Sequence, residues 1–143
     1  MDQNVEFLNY IYQNTKMGID TISQLLDIVD DADYKNILQS QYNEYKMIFD
    51  KADEMLQSLN KEGKDNSIFQ KISSYFMINT KTAMDNSPSH ISEMLIQGST
   101  MGIIDITKKI NEYPNADPEI IDLAKKLLAF EQNNVEQCKL CLK

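Results

Sequence analysis

The chain contains neither tryptophan nor arginine; all fourteen of its basic residues are lysine. Glycine occurs four times, proline three times, cysteine twice and histidine once in 143 residues. Each shortage excludes something. Without arginine there is no planar guanidinium fork for phosphate, and a formal net charge of −8 leaves no basic face for a nucleic-acid backbone. Nucleic acid is therefore not an expected partner, and an anionic membrane surface is disfavoured for the same reason. A single histidine, His90, does not supply a Ser-His-Asp or Cys-His arrangement, and no glycine-rich phosphate loop is present. No apolar run approaches the roughly 20 residues that span a bilayer. The opening MDQNVEFLNY is acidic and lacks the apolar core of a secretory signal. The expected setting is the cytoplasm, with no membrane span, and the length suits one domain over residues 1–143.

What is present is helical periodicity. From about Asn4 to Asp30, Leu8, Ile11, Thr15, Gly18, Ile22, Leu25 and Val29 alternate at three- and four-residue spacing, one stripe of an α-helix. After Asp31 or Asp33, either of which can cap, the stripe resumes as Leu38, Gln41, Tyr45, Ile48, Ala52, Met55 and Leu59, and Gly63 suits a helix end. A third helix starts at Ser87–Pro88 and carries Ile91, Leu95, Gly98, Gly102, Ile106 and Ile110 towards Tyr113–Pro114. The fourth starts at Asp117–Pro118–Glu119 with Ile121, Ala124, Leu128, Glu131, Val135, Cys138 and Leu142. No strand pattern competes.

Short loops make helices one and two, and helices three and four, antiparallel hairpins spanning 3–60 and 88–142. The intervening 61–87 carries an amphipathic piece with Phe69, Ile72, Phe76 and Ala83 on one side. So long a connection is expected to cross the length of the bundle along its outside, and helices one and three are expected to run parallel.

The two hairpins share sequence. At an offset of 84, Gln13, Met17, Gly18, Ile19, Ile22, Ala32 and Asp33 recur as Gln97, Met101, Gly102, Ile103, Ile106, Ala116 and Asp117. Chance would give about one identity in such a window. A duplicated hairpin is the inference. Glycine within a helix costs roughly 1 kcal/mol relative to alanine, so Gly18, Gly98 and Gly102 are expected to permit close helix packing.

Two related hairpins joined by a long crossover resemble the ferritin-like superfamily over most of the chain, among its members the uncharacterised or spore-coat-associated domains of low-GC bacteria. The resemblance implies an all-α, ferritin-like four-helix bundle in the cytoplasm or the spore, and an antiparallel course of helices one and three is expected to remove it. Metal-binding members place a Glu on the first helix of each hairpin and Glu-x-x-His on the second. The matching positions here are Gln13 and Gln97, then Glu44-Tyr-Lys-Met47 and Glu131-Gln-Asn-Asn134. Both first-helix acids are amides and both histidines are replaced. Gln13, Glu44, Gln97, Glu131 and Asn134 are thus a candidate polar core layer rather than a di-iron site, with no cofactor expected. The expected role is a non-catalytic structural or interaction protein whose partner is another protein or itself. The alternative is an atypical carboxylate and amide site for iron or manganese.

The remaining candidates have plain readings. Cys138-Lys-Leu-Cys141 is a CxxC at a helix end without strands, so a core-facing Cys138 is expected before a redox or metal-capturing thiol pair. His90 is expected to be exposed. Met17, Met55, Met94 and Met101 have core-like spacing. Glu131 is expected to point inward and hydrogen-bond with Asn134 and Gln or Tyr residues of the second helix, making Glu131→Gln neutral for stability at pH 7.

Overall fold

The protein is described by a computed structural model over residues 2–63 and 85–143. Those residues form four α-helices, α1 (Gln3–Ile28), α2 (Ala32–Ser58), α3 (Pro88–Glu112) and α4 (Pro118–Lys139), with no strand among them. None of the four is long and apolar enough to cross a membrane. The expected crossover, with Phe69, Ile72, Phe76 and Ala83, lies for the most part outside the described residues.

Polar side chains set the helix starts. Asp2, Asp31 and Ser87 each accept a hydrogen bond from a backbone N–H in the first turn they precede, those of Asn4, Tyr34 and His90. Asp117 behaves differently: its side chain makes no cap bond, and its backbone N–H donates to Asn4 Oδ1 at 2.8 Å, tying the start of α4 to the start of α1. The end of α2 is not Gly63. Asn60 takes the left-handed conformation at φ 58°, with Lys61 N–H donating to Leu56 O and Asn60 N–H to Gln57 O, both at 2.9 Å. This is a Schellman end in which asparagine does what glycine was expected to do. Gly63 has another constraint, because a Cβ there would collide with the Tyr12 ring.

The stripes become the core. Leu8, Ile11, Thr15, Gly18, Ile22, Leu25 and Val29 are all buried, as are Leu38, Gln41, Tyr45, Ile48 and Ala52. Towards the end of α2 the buried edge shifts to Leu56, leaving Met55 half-buried and Leu59 exposed. In α4 the deeper edge is Ile120, Leu123, Leu127 and Asn134, with Ile121, Leu128 and Val135 half-buried and Leu142 exposed. Three- and four-residue spacing leaves two shoulders to a stripe, and neighbours on both sides decide which is covered. Met17, Met55 and Met94 are half-buried, whereas Met101 is exposed.

Contacts at the helix ends fix direction. Tyr113, after α3, donates to Glu6 near the start of α1 at 2.8 Å, while Asn86, before α3, donates to Ile28 O at the end of α1 at 2.6 Å. Helices α1 and α3 are therefore antiparallel. Tyr34 and Ser92, each near the start of its helix, share a hydrogen bond at 2.8 Å, so α2 and α3 run parallel. The expectation of parallel first and third helices is corrected. Its fault is geometric: a connection that carries the chain back along the bundle after α2 starts α3 in the direction of α2, and α2 already opposes α1. Gly63 lies beside Tyr12 of α1, and Asn86 beside the C-terminal end of α1.

The left-handed cap gives a direct test. Asn60→Gly should leave the thermal midpoint nearly unchanged, whereas Asn60→Val should destabilise by about 1–2 kcal/mol, because a β-branched residue pays the steric cost of positive φ. Equal midpoints for the two variants would contradict the assigned helix end.

Candidate functional site

Tyr45 of α2 and Glu131 of α4 meet at the middle of the bundle. Each stands fourteen residues beyond its helix's N-cap, Asp31 or Asp117. Each also sits on a glycine of the preceding helix. A Cβ on Gly18 would come within 2.5–2.6 Å of the Tyr45 ring, and one on Gly102 would run into the Glu131 carboxyl. The two glycines of the repeated Met-Gly-Ile thus seat a side chain from the partner helix of the same hairpin. The Tyr45 hydroxyl donates to Glu131 Oε2 at a long 3.5 Å and is also reached by Ser99, and its ring packs edge-on against Phe130 at 4.7 Å.

Helix register explains why the expected matches fail. The loop between α3 and α4 is two residues longer than that between α1 and α2, so the caps Asp31 and Asp117 correspond, not Asp33 and Asp117. Tyr45 rather than Glu44 then stands opposite Glu131. Glu44 turns one position away, into a groove between α2 and α4 lined by Ser40, Lys126, Phe130 and Asn133. Gln97 is exposed and leaves the proposed layer, and Gln13 is half-buried. The inward position on α1 is its neighbour Asn14, which sequence reasoning passed over although it borders the Ile11–Thr15 stripe. Of the five proposed layer residues, Glu131 and Asn134 are the deeply buried ones, at 1% and 2% exposure.

This layer is polar and incompletely paired. Glu131 Oε1 and both amide atoms of Asn14 and of Asn134 make no hydrogen bond of normal geometry. The bond expected between Glu131 and Asn134 is thus absent. Asn14 nevertheless lies close enough to the Glu131 carboxyl and the Tyr10 hydroxyl to favour their charged forms. Burial outweighs that help. Desolvation, with the nearby charge of Asp105 adding to it, pushes the Glu131 carboxyl up from 4.5 to about 8, while Asn14 and Tyr45 pull the other way. Tyr45 is raised well above its ordinary value, first by burial and then by Glu131.

Other candidates resolve simply. Cys138 is buried and accepts a weak contact from Gln41 Nε2 at 3.9 Å, and burial raises its thiol above the usual range. That favours the neutral thiol, not a nucleophilic thiolate. Cys141 is half-buried, and both thiols are free. His90 is half-buried rather than exposed, since it packs in the first turn of α3. Gly98 is corrected as a packing residue: nothing lies within 4 Å of a Cβ placed there.

No protein-family model and no curated relative matches the chain. Its fold is similar to a solved structure described as "YcfI, a putative structural protein from Rhodopseudomonas palustris". The TM-score is 0.63 over 97% of this chain and 94% of that one, at 12% identity. At that identity the likeness concerns the fold.

The glycine seats and the carboxyl each yield a test. Gly102→Leu should destabilise by about 1–3 kcal/mol or more, because the added side chain displaces a buried carboxyl, whereas Gly98→Leu should be tolerated or stabilising. Denaturant midpoints compare them, and equal losses would refute distinct roles. For Glu131, the folded protein holds a proton between 4.5 and about 8 that the unfolded chain gives up. Its contribution to stability is thus fully present below the lower value and lost as pH rises through the upper one. Glu131→Gln should match the parent near pH 4 and exceed it by a few kcal/mol above pH 8. At pH 7 it should already be stabilising, not neutral. A stability difference independent of pH between 4 and 9 would contradict the buried neutral acid.

Proposed function

We propose that the chain is a non-catalytic structural or interaction protein on a ferritin-like scaffold that has lost the usual di-iron ligands. The observation that carries this reading is the composition of the central layer. Where metal-binding members converge several carboxylates and histidines, the described residues bury one acid, Glu131, facing a tyrosine, Tyr45, with Asn14 and Asn134 beside it. Among the described residues, no three His, Cys, Asp or Glu side chains gather as metal ligands. Glu44, the second acid the resemblance offers, lines the groove between α2 and α4 rather than the space between Tyr45 and Glu131.

The criterion that antiparallel first and third helices remove the scaffold reading carries the same geometric fault, because a full-length crossover between hairpins would make α2 and α3 parallel and so α1 and α3 antiparallel. The description of the similar structure as a structural protein agrees with a role without catalysis. The partner is another protein or a second copy of this chain.

A second reading keeps a metal, iron or manganese, on Glu131 with amide oxygens. Its favouring observation is that Glu131 Oε1 and the Asn14 and Asn134 amides are buried without partners. Elemental analysis of tag-free protein prepared without chelator separates the two, followed by melts with iron, manganese and zinc. The structural reading expects substoichiometric metal and the same small shifts in the parent and in Glu131→Gln. Stoichiometric metal, or a large rise in melting temperature that vanishes in Glu131→Gln, would establish the second reading instead.

A further inference from the structure

Gly98 costs helix stability and is required by no neighbour, so its place needs a different explanation. It lines a cavity of about 50 Å³ that draws on all four helices: Met17, Gly18, Thr21 and Ile22 from α1, Gln41 and Tyr45 from α2, Leu95, Gly98 and Ser99 from α3, and Glu131 from α4. Met17 and Gly98 are its half-buried members on α1 and α3, and mark the mouth. A Cβ at position 98 would project there into open space. Glycine therefore leaves an entrance to the bundle's centre.

Most of the wall is apolar, and the inner end is not. Glu131 is 1% exposed, its Oε1 has no partner, and the Tyr45 hydroxyl holds Oε2 by a long bond. Among the described residues no lysine lines the space, and Asp105 adds negative charge nearby. An anionic ligand would find no described cation to pair with and would meet the charge of Asp105. A bare divalent ion would find one carboxylate where six or more oxygens are normal for calcium. The volume accepts roughly four water-sized groups, about the heavy atoms of a three-carbon amine.

We propose that this cavity binds a small free primary alkylammonium, its charge on the Glu131 carboxylate and its alkyl stem along Met17, Ile22 and Leu95. Glu131 is neutral in the free protein, so its proton passes to solvent as the ammonium enters and the ion pair forms. Tyr45 and Ser99 supply hydroxyl oxygens for the remaining ammonium protons. The inference does not depend on the ferritin-like reading, because it uses the cavity and the side chains alone.

Titration of the full chain with propylammonium chloride, at constant ionic strength and followed by calorimetry and amide NMR shifts, tests it. The expected result is saturable one-to-one binding, with 1-propanol and propionate at least tenfold weaker. Glu131→Gln should lose at least tenfold in affinity. Gly98→Leu, whose Cβ meets no neighbour and which favours the helix, should block entry while preserving the circular dichroism spectrum. The proposal fails if propylammonium does not saturate, if 1-propanol binds equally well, or if either folded variant binds like the parent. Tighter binding of Nα-acetyl-lysine amide than of propylammonium would overturn the free amine as occupant.

Discussion

The contact between Tyr45 and Glu131 is the point on which the two hairpins meet. It places a tyrosine ring and a carboxyl, one from each hairpin, at the same height in the interior. Both groups are large for a position between closely packed helices, and both are accommodated by removing a side chain opposite them, at Gly18 and at Gly102. The repeated Met-Gly-Ile is thus a packing device that receives a different group in each hairpin. A carboxyl in that seat has a consequence that a ring does not: water is removed from an acid that no cation answers, and its neutral form becomes the stable one.

Polar cross-links set the rest of the bundle around this point. Tyr34 with Ser92, Gln41 with Cys138 and Tyr45 with Glu131 descend α2 on its inner side, while Tyr113 with Glu6 and Asp117 with Asn4 close the far end. Apolar burial is non-directional and tolerates sliding or reversed neighbours, whereas these pairs fit at one register and one helix direction. Surface ion pairs such as Lys46 with Asp50 are exposed and contribute little by comparison. The specificity of the arrangement therefore resides largely in its interior polar groups.

The four helices and most of their starts were legible because local chemistry marks them, as at Asp31 and Ser87–Pro88; Asp117–Pro118 marks the start of α4 by position, without a side-chain cap bond. Inward-facing Glu131 and buried Cys138 were legible from the stripes they interrupt. The matching of the hairpins was not. Two added loop residues change the register from α3 to α4, and no pattern within either helix announces it, so Glu44 looked equivalent to Glu131 when Tyr45 is. Asn14 was missed because it sits on the shoulder of its stripe, where the neighbouring hairpin decides burial. Gly98 shows the same dependence: its spacing resembles that of Gly102, but its surroundings are empty. Helix direction was misjudged from a fault in the geometry, not from a shortage of signal.

The central claim is that Glu131 is a neutral carboxyl buried in the bundle, and its titration can be watched directly. With glutamate labelled at the carboxyl carbon, the ¹³C shift of each side chain is followed from pH 3 to pH 10. One resonance should titrate near 8, far above the others, and it should disappear in Glu131→Gln. If every glutamate carboxyl titrates below about pH 5.5 in the folded protein, Glu131 is solvated or paired with a cation, and the account of the central layer is wrong.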